Sequence, residues 1–287
     1  MGLVTMDAVL KKAKEGNYAV PAFNVCNLEF IKTVIETAEK MNSPVIVATH
    51  PVEIEYAGID RISSMVQSFA RKTHIPIVLH LDHGDTYERA VDCIEHGYTS
   101  VMFDGSGFPY EENIKRTQAV VKTAHAQNVS VEAELGLIGG NEGDALTEAG
   151  GLSRDNLTNP EQAADFVLKT NVDSLAVAIG SAHGFYKGIP QIDVDRLSQI
   201  RNRVSIPLVL HGGSGIPDEI IRDCVKNGIS KLNIATELKY AYYLGILKSI
   251  KENPDEFDPR SVFAVAMKNA EDLVRQKIEL LGSGNKA

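Results

Sequence analysis

The chain has no tryptophan, only three cysteines and no apolar run that approaches a membrane span. Cys26, Cys93 and Cys224 are odd in number and far apart, and none belongs to a CxxC pair. That pattern excludes a disulfide framework and a thiolate-rich metal site; it fits free buried thiols in a reducing cytoplasm. Basic residues are scarce as well: 29 Lys and Arg stand against 38 Asp and Glu, a net charge of -9. With no basic stripe to offset it, nucleic-acid binding is not expected. An anionic ligand would need local positive potential from a metal ion or from backbone N–H groups. The first eighteen residues have no hydrophobic h-region and no small-residue cleavage site, so no signal peptide is expected.

What is present is a repeat. The chain has 287 residues, 44% of them hydrophobic, which suits a single domain over 1–287 with a well-buried core. Eight short β-rich runs occupy Ala19–Val25, Pro44–His50, Pro76–His83, Ser100–Ser106, Ser130–Gly136, Ser174–Gly180, Pro207–Gly212 and Ile229–Ile234. Runs such as VIVATH, SLAVAIG and LVLHGG are nearly continuous apolar stretches, as parallel strands covered on both faces must be. Amphipathic helical patterns lie between them, at Leu28–Met41, Ile59–Lys72, Thr86–His96, Glu111–Gln127, Pro160–Thr170, Asp193–Arg203 and Pro217–Asn227. Eight βα repeats in this length predict an α/β fold of the (β/α)8 TIM-barrel type, with an extra C-terminal helix reaching about Leu281. The alternative is a doubly wound open sheet, but AFNVCNLEF after the first strand carries no glycine fingerprint. One stretch, Leu137–Asn159, is polar, glycine-rich and without period, which reads as a functional lid or a disordered segment.

A barrel's reactive groups come from the C-terminal ends of its strands. His83 ends the third strand in HLDHGD, His183 follows the sixth in AIGSAHG, and His211 ends the seventh in LVLHGG. Three neutral imidazoles with an open fourth position describe a catalytic zinc site. Each could instead be an isolated hydrogen-bonded histidine; three on one rim, each followed by glycine, favour ligation. His80, three residues earlier, reads as a buried packing or supporting residue, and His50 as a side chain near the mouth. His74, His96 and His125 fall on outer helices or their ends.

Carboxylates surround this rim. Asp82 precedes His83 and points to the opposite side if the strand stays regular, or toward the mouth if the backbone turns. Its role is open among orienting a ligand, solvation, and acid/base work. Glu132 and Glu134 share one face of the fifth strand, where a charge is costly unless paired with Lys or Arg or bound to metal. Asp104 ends the fourth strand in the same group. Glu142 sits in the loop GGNEGD between glycines, either a solvated charge or a carboxylate that swings over substrate. The turn HGGSGIPDE and the strand end NIATE each lead into a helix, the usual place for phosphate in a barrel.

The segments PAFNV, LHLDHG, VEAELG, SLAVAIGSAHG, PLVLHGGSG and KLNIATE, in that order, resemble the class II ketose-bisphosphate aldolases. Within that family the chain looks most like the tagatose-bisphosphate aldolases. The likeness covers nearly the whole chain, down to Asp258–Arg260 and the final helix. The resemblance implies Zn2+ on His83, His183 and His211, with Asp82 exchanging the proton of the C4 hydroxyl. It implies Glu142 on the lid, moving the proton at the dihydroxyacetone phosphate carbon. Asp104 and Glu134 match positions linked to alternative or second-cation binding. Phosphate would lie against Gly184, Gly212, Gly213 and Ser214 and the segment Asn233, Ile234, Ala235 and Thr236, with a monovalent cation such as Na+ or K+ nearby. Asn233 would touch the enediolate.

The same resemblance implies a cytoplasmic homodimer or homotetramer acting on a small sugar phosphate, without membrane attachment. Some tagatose-type relatives use a helper subunit. Two departures bear on substrate. Gly143 replaces the acidic run that tagatose-type relatives often have after the lid glutamate. Ala235 stands where fructose-specific relatives often carry a polar residue, which leans toward tagatose 1,6-bisphosphate over fructose 1,6-bisphosphate or a related deoxy- or keto-sugar phosphate. Two other readings are weaker. A metal-dependent hydrolase would be expected to show an HxH pair on strand one, and a non-catalytic partner subunit would be expected to have lost Asp82 or a ligand histidine.

Overall fold

The apolar runs are buried from end to end, and neighbouring runs pair in parallel. The computed structural model describes residues 2–140, 146–148 and 156–287. Its strands, in chain order, are β1 (Val20–Asn24), β2 (Val45–Thr49), β3 (Ile77–Gly84), β4 (Ser100–Phe103), β5 (Ser130–Leu135), β6 (Leu146–Glu148), β7 (Ser174–Val177), β8 (Phe185–Lys187), β9 (Leu208–Leu210) and β10 (Ile229–Ile234). Eight of them close into a barrel in the order β1-β10-β9-β7-β5-β4-β3-β2, and β6 pairs with β8 outside it. The fold is a (β/α)8 barrel with an extra C-terminal helix, as the repeat predicts. Pro44, Pro76 and Pro207 each stand immediately before a strand, where a missing N–H breaks no ladder bond.

Two apolar layers fill the space around the sheet. Outward-facing residues such as Phe23, Val47, Leu79, Val101 and Leu232 pack under the helices in the main core. Inside, Val20, Ala22, Ile46 and Val78 meet Met6, Val9, Leu10 and Ala13 from the helix Met6–Gly16. That helix plugs the N-terminal end of the barrel; Met6, Val9, Leu10 and Ala13 recur at helical spacing, a signal absent from the helical patterns named above. Met102, Ala176 and Val209 form the next inner layer. Polar groups share this level, Glu132 lying beside Met102 in register and His80 bonding Ser100, and they continue up to the rim.

The C-terminal helix Pro259–Leu281 is N-capped by Asp258 and buries Ala266, Ala270, Val274, Ile278 and Leu281. It packs against the helices Leu28–Lys40 and Thr236–Glu252. No helix among the described residues is long and apolar enough to cross a membrane. Leu146, Thr147 and Glu148, within the stretch read as a lid or a disordered segment, pair in register with Phe185, Tyr186 and Lys187. Glu142 and Asp144 lie outside the described residues.

Candidate active site

Period-two alternation aims polar side chains from several strands into the barrel. On β3 these are His80 and Asp82, and on β5 Glu132 and Glu134, all buried. The backbone then turns. His83 has φ 48°, a left-handed conformation rare for a residue without glycine's freedom, and pairing with β4 slips between Leu81 and Gly84. The turn settles the question left by regular alternation: Asp82 and His83 face the same mouth.

His83, His183 and His211 are buried and converge, with one ring nitrogen of each lying within 4.8 Å of the others. His83 Nε2 is 3.2 Å from His183 Nε2 and 2.9 Å from His211 Nδ1. Their tautomers follow from their other partners. His83 Nδ1–H donates to Asp104 Oδ2 at 2.8 Å, and His211 Nε2–H donates to Glu132 Oε1 at 2.8 Å. Those two donations leave lone pairs on His83 Nε2 and His211 Nδ1, aimed at each other. A proton shared between them or a cation among them relieves the repulsion, and with a third imidazole at hand this donor set fits a divalent metal with imidazole preference such as Zn2+. Burial alone would lower the His83 pKa, but Asp82, Asp104 and Glu134 outweigh it and hold it at about 10. The field that favours a proton there favours a metal cation too.

Asp82 is held by two amides. Asn24 Nδ2 donates to Oδ2 and Asn233 Nδ2 to Oδ1, both at 2.8 Å. Burial pushes the Asp82 carboxyl up, but His83, His211 and Lys231 win and hold it well below the usual carboxylate range. The side chain is thus a fixed, ionised base beside the histidines. The Oδ1 atoms of Asn24 and Asn233 are buried without a protein partner, leaving two acceptors for substrate hydroxyls or water. Asn24 was not singled out in the sequence. Its signal was there: it follows Ala22 by two on a strand whose inner face reaches the mouth.

Glu132 and Glu134 separate into different roles. Glu132 Oε2 accepts from Lys231 Nζ at 2.7 Å, and Lys231 lies 3.3 Å from His80 Nε2. Desolvation opposes the charge on Glu132, but Lys231 and His211 bring its pKa down to about 2. Lys231 is therefore a buried counter-ion on the inner face of β10, not an amine presented to substrate. Glu134 has no such cation: burial and then Asp104 raise it to about 8. Its Oε2 is 3.9 Å from His83 Nδ1 and has no hydrogen-bond partner. His83, Asp104 and Glu134 form a second group able to hold a cation. It uses the very nitrogen that the first group needs protonated, so the two are alternatives for His83.

His50, His83, His183, Asp104 and Glu134 line a cavity of about 530 Å3 together with Leu137 and Ile138. His50 N-caps the helix Pro51–Ala57, its Nδ1 accepting from Val52 N, which puts the ring proton on Nε2. His80 is buried and bonded to Ser100, while His74 lies at the surface, as expected of both.

The proposed phosphate residues come together on one side of the rim, but their amides are not equally available. Gly213 N–H donates to Asn233 O at 3.1 Å and Gly215 N–H to Glu237 Oε1 at 2.8 Å. The Gly213 amide is thereby committed to the backbone of β10, although the residue itself stays on this side of the rim. Gly212 (φ +65°) is required by close approach: a Cβ there would lie 2.3 Å from Ala182 O. Ser214 Oγ accepts from Glu237 N at 3.2 Å, which ties this turn to the first turn of the helix Thr236–Glu252.

The family model for class II fructose-bisphosphate aldolases matches residues 4–286. The chain belongs to that family. Among solved structures this aldolase is similar to the YdjI aldolase from Escherichia coli K12, at 36% identity and TM-score 0.88 over 99% of both chains. A putative fructose-1,6-bisphosphate aldolase from Coccidioides immitis is 30% identical with TM-score 0.85, over 97% of this chain and 96% of its own. The fructose-bisphosphate aldolase from Campylobacter jejuni is 25% identical with TM-score 0.84, over 100% and 97% respectively. The protein is a class II aldolase, a lyase that breaks a carbon–carbon bond in a ketose phosphate.

Proposed function

We propose that the aldolase reversibly cleaves a ketose 1,6-bisphosphate to dihydroxyacetone phosphate and glyceraldehyde 3-phosphate, with tagatose 1,6-bisphosphate preferred. The observation that carries the reading is the ionised Asp82 fixed beside three converging histidine nitrogens. His83, His183 and His211 would hold Zn2+. When bound, the ion supplies Lewis-acid stabilisation of the oxygen charge that develops as C3–C4 breaks, so no Schiff-base lysine is needed. Asp82 takes the C4 hydroxyl proton in cleavage and returns it in condensation; its lowered pKa keeps it ionised at neutral pH, and its fixed position compensates for the weaker basicity. Asn233, within 3.3 Å of His211 Nδ1, presents its amide to the enediolate oxygens. Glu142 moves the proton at the dihydroxyacetone phosphate carbon.

The phosphate of that fragment rests on Gly184, Gly212, Gly213, Ser214 and the junction of β10 with the following helix at Ile234, Ala235 and Thr236, with Na+ or K+ beside it. Asp104 and Glu134 offer the alternative cation position. Ala235 supports the tagatose preference, since a methyl group there makes no hydrogen bond to the ketose hydroxyls. The three free cysteines, two of them buried, support a reducing cytoplasmic setting. Tyr240, Tyr243, Leu244, Leu247 and Ile250 form one stripe along the helix Thr236–Glu252, each 41–51% exposed. A stripe at this spacing supports a homodimer through that face; a tetramer or a helper subunit would add further contacts.

The test is parallel cleavage of tagatose 1,6-bisphosphate and fructose 1,6-bisphosphate, with and without a chelator. Chelator-sensitive release of dihydroxyacetone phosphate with a higher kcat/KM for the tagatose epimer is expected. No cleavage of either by zinc-loaded protein would defeat the substrate assignment.

A further inference from the structure

Tyr186 bonds to both loops that carry His183 and His211, yet none of the chemistry above uses it. Its hydroxyl accepts the Ala182 N–H at 2.8 Å and lies 2.9 Å from Gly212 O and 3.0 Å from Ala182 O, to either of which it donates. Ala182 directly precedes His183, and Gly212 directly follows His211. One hydroxyl therefore ties the loop of one metal-site histidine to the loop of another. The tie closes a narrow gap, since a Cβ on Gly212 would meet Ala182 O. The ring of Tyr186 reaches the far end of the same turn: a Cβ on Gly215 would sit 3.4 Å from its Cδ2. Its backbone, in β8, pairs with Thr147 of β6.

We infer that Tyr186 is a positioning residue that holds the His183 loop and the Gly212–Gly215 turn as one rigid phosphate cradle. This rests on the reading of that turn as the phosphate site. Without the hydroxyl, the Ala182 N–H and the Gly212 carbonyl lose their shared partner in a half-buried place. The two loops then separate by the small distance that matters for backbone donors, because hydrogen bonds weaken steeply with geometry. His83 and His211 keep their own partners, Asp104 and Glu132, so the effect falls first on phosphate and second, through the His183 loop, on metal retention.

The experiment compares zinc-loaded wild type with Tyr186→Phe, which keeps the ring over Gly215. Tyr110→Phe is the control, as Tyr110 loses hydrogen bonds to Gln162 O and Asp165 on the outer helices. Competitive inhibition of ketose-phosphate cleavage by inorganic phosphate is measured alongside KM, kcat and the rate of zinc loss to a chelator. Tyr186→Phe is expected to raise both KM and the phosphate Ki about tenfold, the cost of one lost partner, with kcat changed less than about threefold. Zinc should also leave several-fold faster, and Tyr110→Phe should alter none of these. Unchanged KM, Ki and zinc loss in Tyr186→Phe would overturn the inference. Absence of phosphate inhibition in the wild type would instead remove the cradle reading on which it rests. Residue-resolved hydrogen exchange on the wild type gives a check independent of any variant's folding. Phosphate should slow exchange of the Ala182 amide, and an unaffected amide there in a phosphate-inhibited enzyme would contradict the clamp.

Discussion

Lys231 and Glu132 form an ion pair 2.7 Å long inside the barrel, and neither side chain reaches solvent. The other oxygen of Glu132 fixes His211, so a lysine on β10 orients a histidine on the rim through a carboxylate on β5. Replacing Lys231 with Met leaves Glu132 buried without its counter-ion. Breaking such a pair from one side costs about 3–5 kcal/mol. Urea unfolding of zinc-loaded Lys231→Met should show a loss of that size, and an unchanged midpoint would contradict it. The double variant Lys231→Met/Glu132→Gln should recover part of the loss, since no charge is then stranded.

Asp82 carries no load in packing beyond its two asparagine partners, so its amide variant should fold. Asp82→Asn is expected to lower kcat about 10²–10⁴-fold, the range of a lost general base, while bound zinc per chain stays the same. A variant with near wild-type kcat would assign the proton transfer to another group.

Asp104 sets which nitrogen of His83 carries the proton. Asp104→Ala should weaken zinc affinity about 10–100-fold, the usual cost of losing a carboxylate that orients a metal-bound histidine. Competition with a chromogenic chelator reads this directly. Equal affinity would show that Glu134 replaces Asp104 as the acceptor.

Removal of zinc should abolish cleavage and lower the melting temperature, because a ligand bound only to the folded state stabilises it by mass action. At a hundredfold excess over Kd that stabilisation is about 2.7 kcal/mol. Added zinc should restore both properties together. Activity that survives exhaustive chelation would refute the metal site.

The cysteines should differ in reactivity. Burial pushes the thiols of Cys93 and Cys224 up to about 12, so neither carries appreciable thiolate at pH 8 in the folded protein. Cys26 is also raised, by burial and then Glu53, but is only partly covered. Alkylation of native protein at pH 8, followed by peptide mapping, should label Cys26 first and the others only after unfolding. Early modification of Cys93 would reveal local opening of the helix Tyr87–Glu95.

Local chemistry determined much of this protein in advance. Continuous apolar runs with proline at their starts produced buried parallel strands, because such residues gain by being covered on both faces. The closed barrel followed from eight of them in series. His83, His183 and His211 were legible because each ends a strand or follows one, and the barrel collects those ends on one rim.

Other features depend on which strands become neighbours. Alternation alone leaves Asp82 and His83 on opposite sides; the left-handed backbone at His83, beside the slipped register with β4, turns them to one mouth. Glu132 and Glu134 look alike in sequence and differ because Lys231, 99 positions away, arrives beside one and Asp104 beside the other. Asn24 acquires its role the same way, by reaching Asp82 across the barrel. Residue types and their periods are properties of the chain, so they set the strands and offered the candidate ligands. Partners and protonation depend on distances of a few ångströms between strands remote in sequence, and only barrel closure sets those distances.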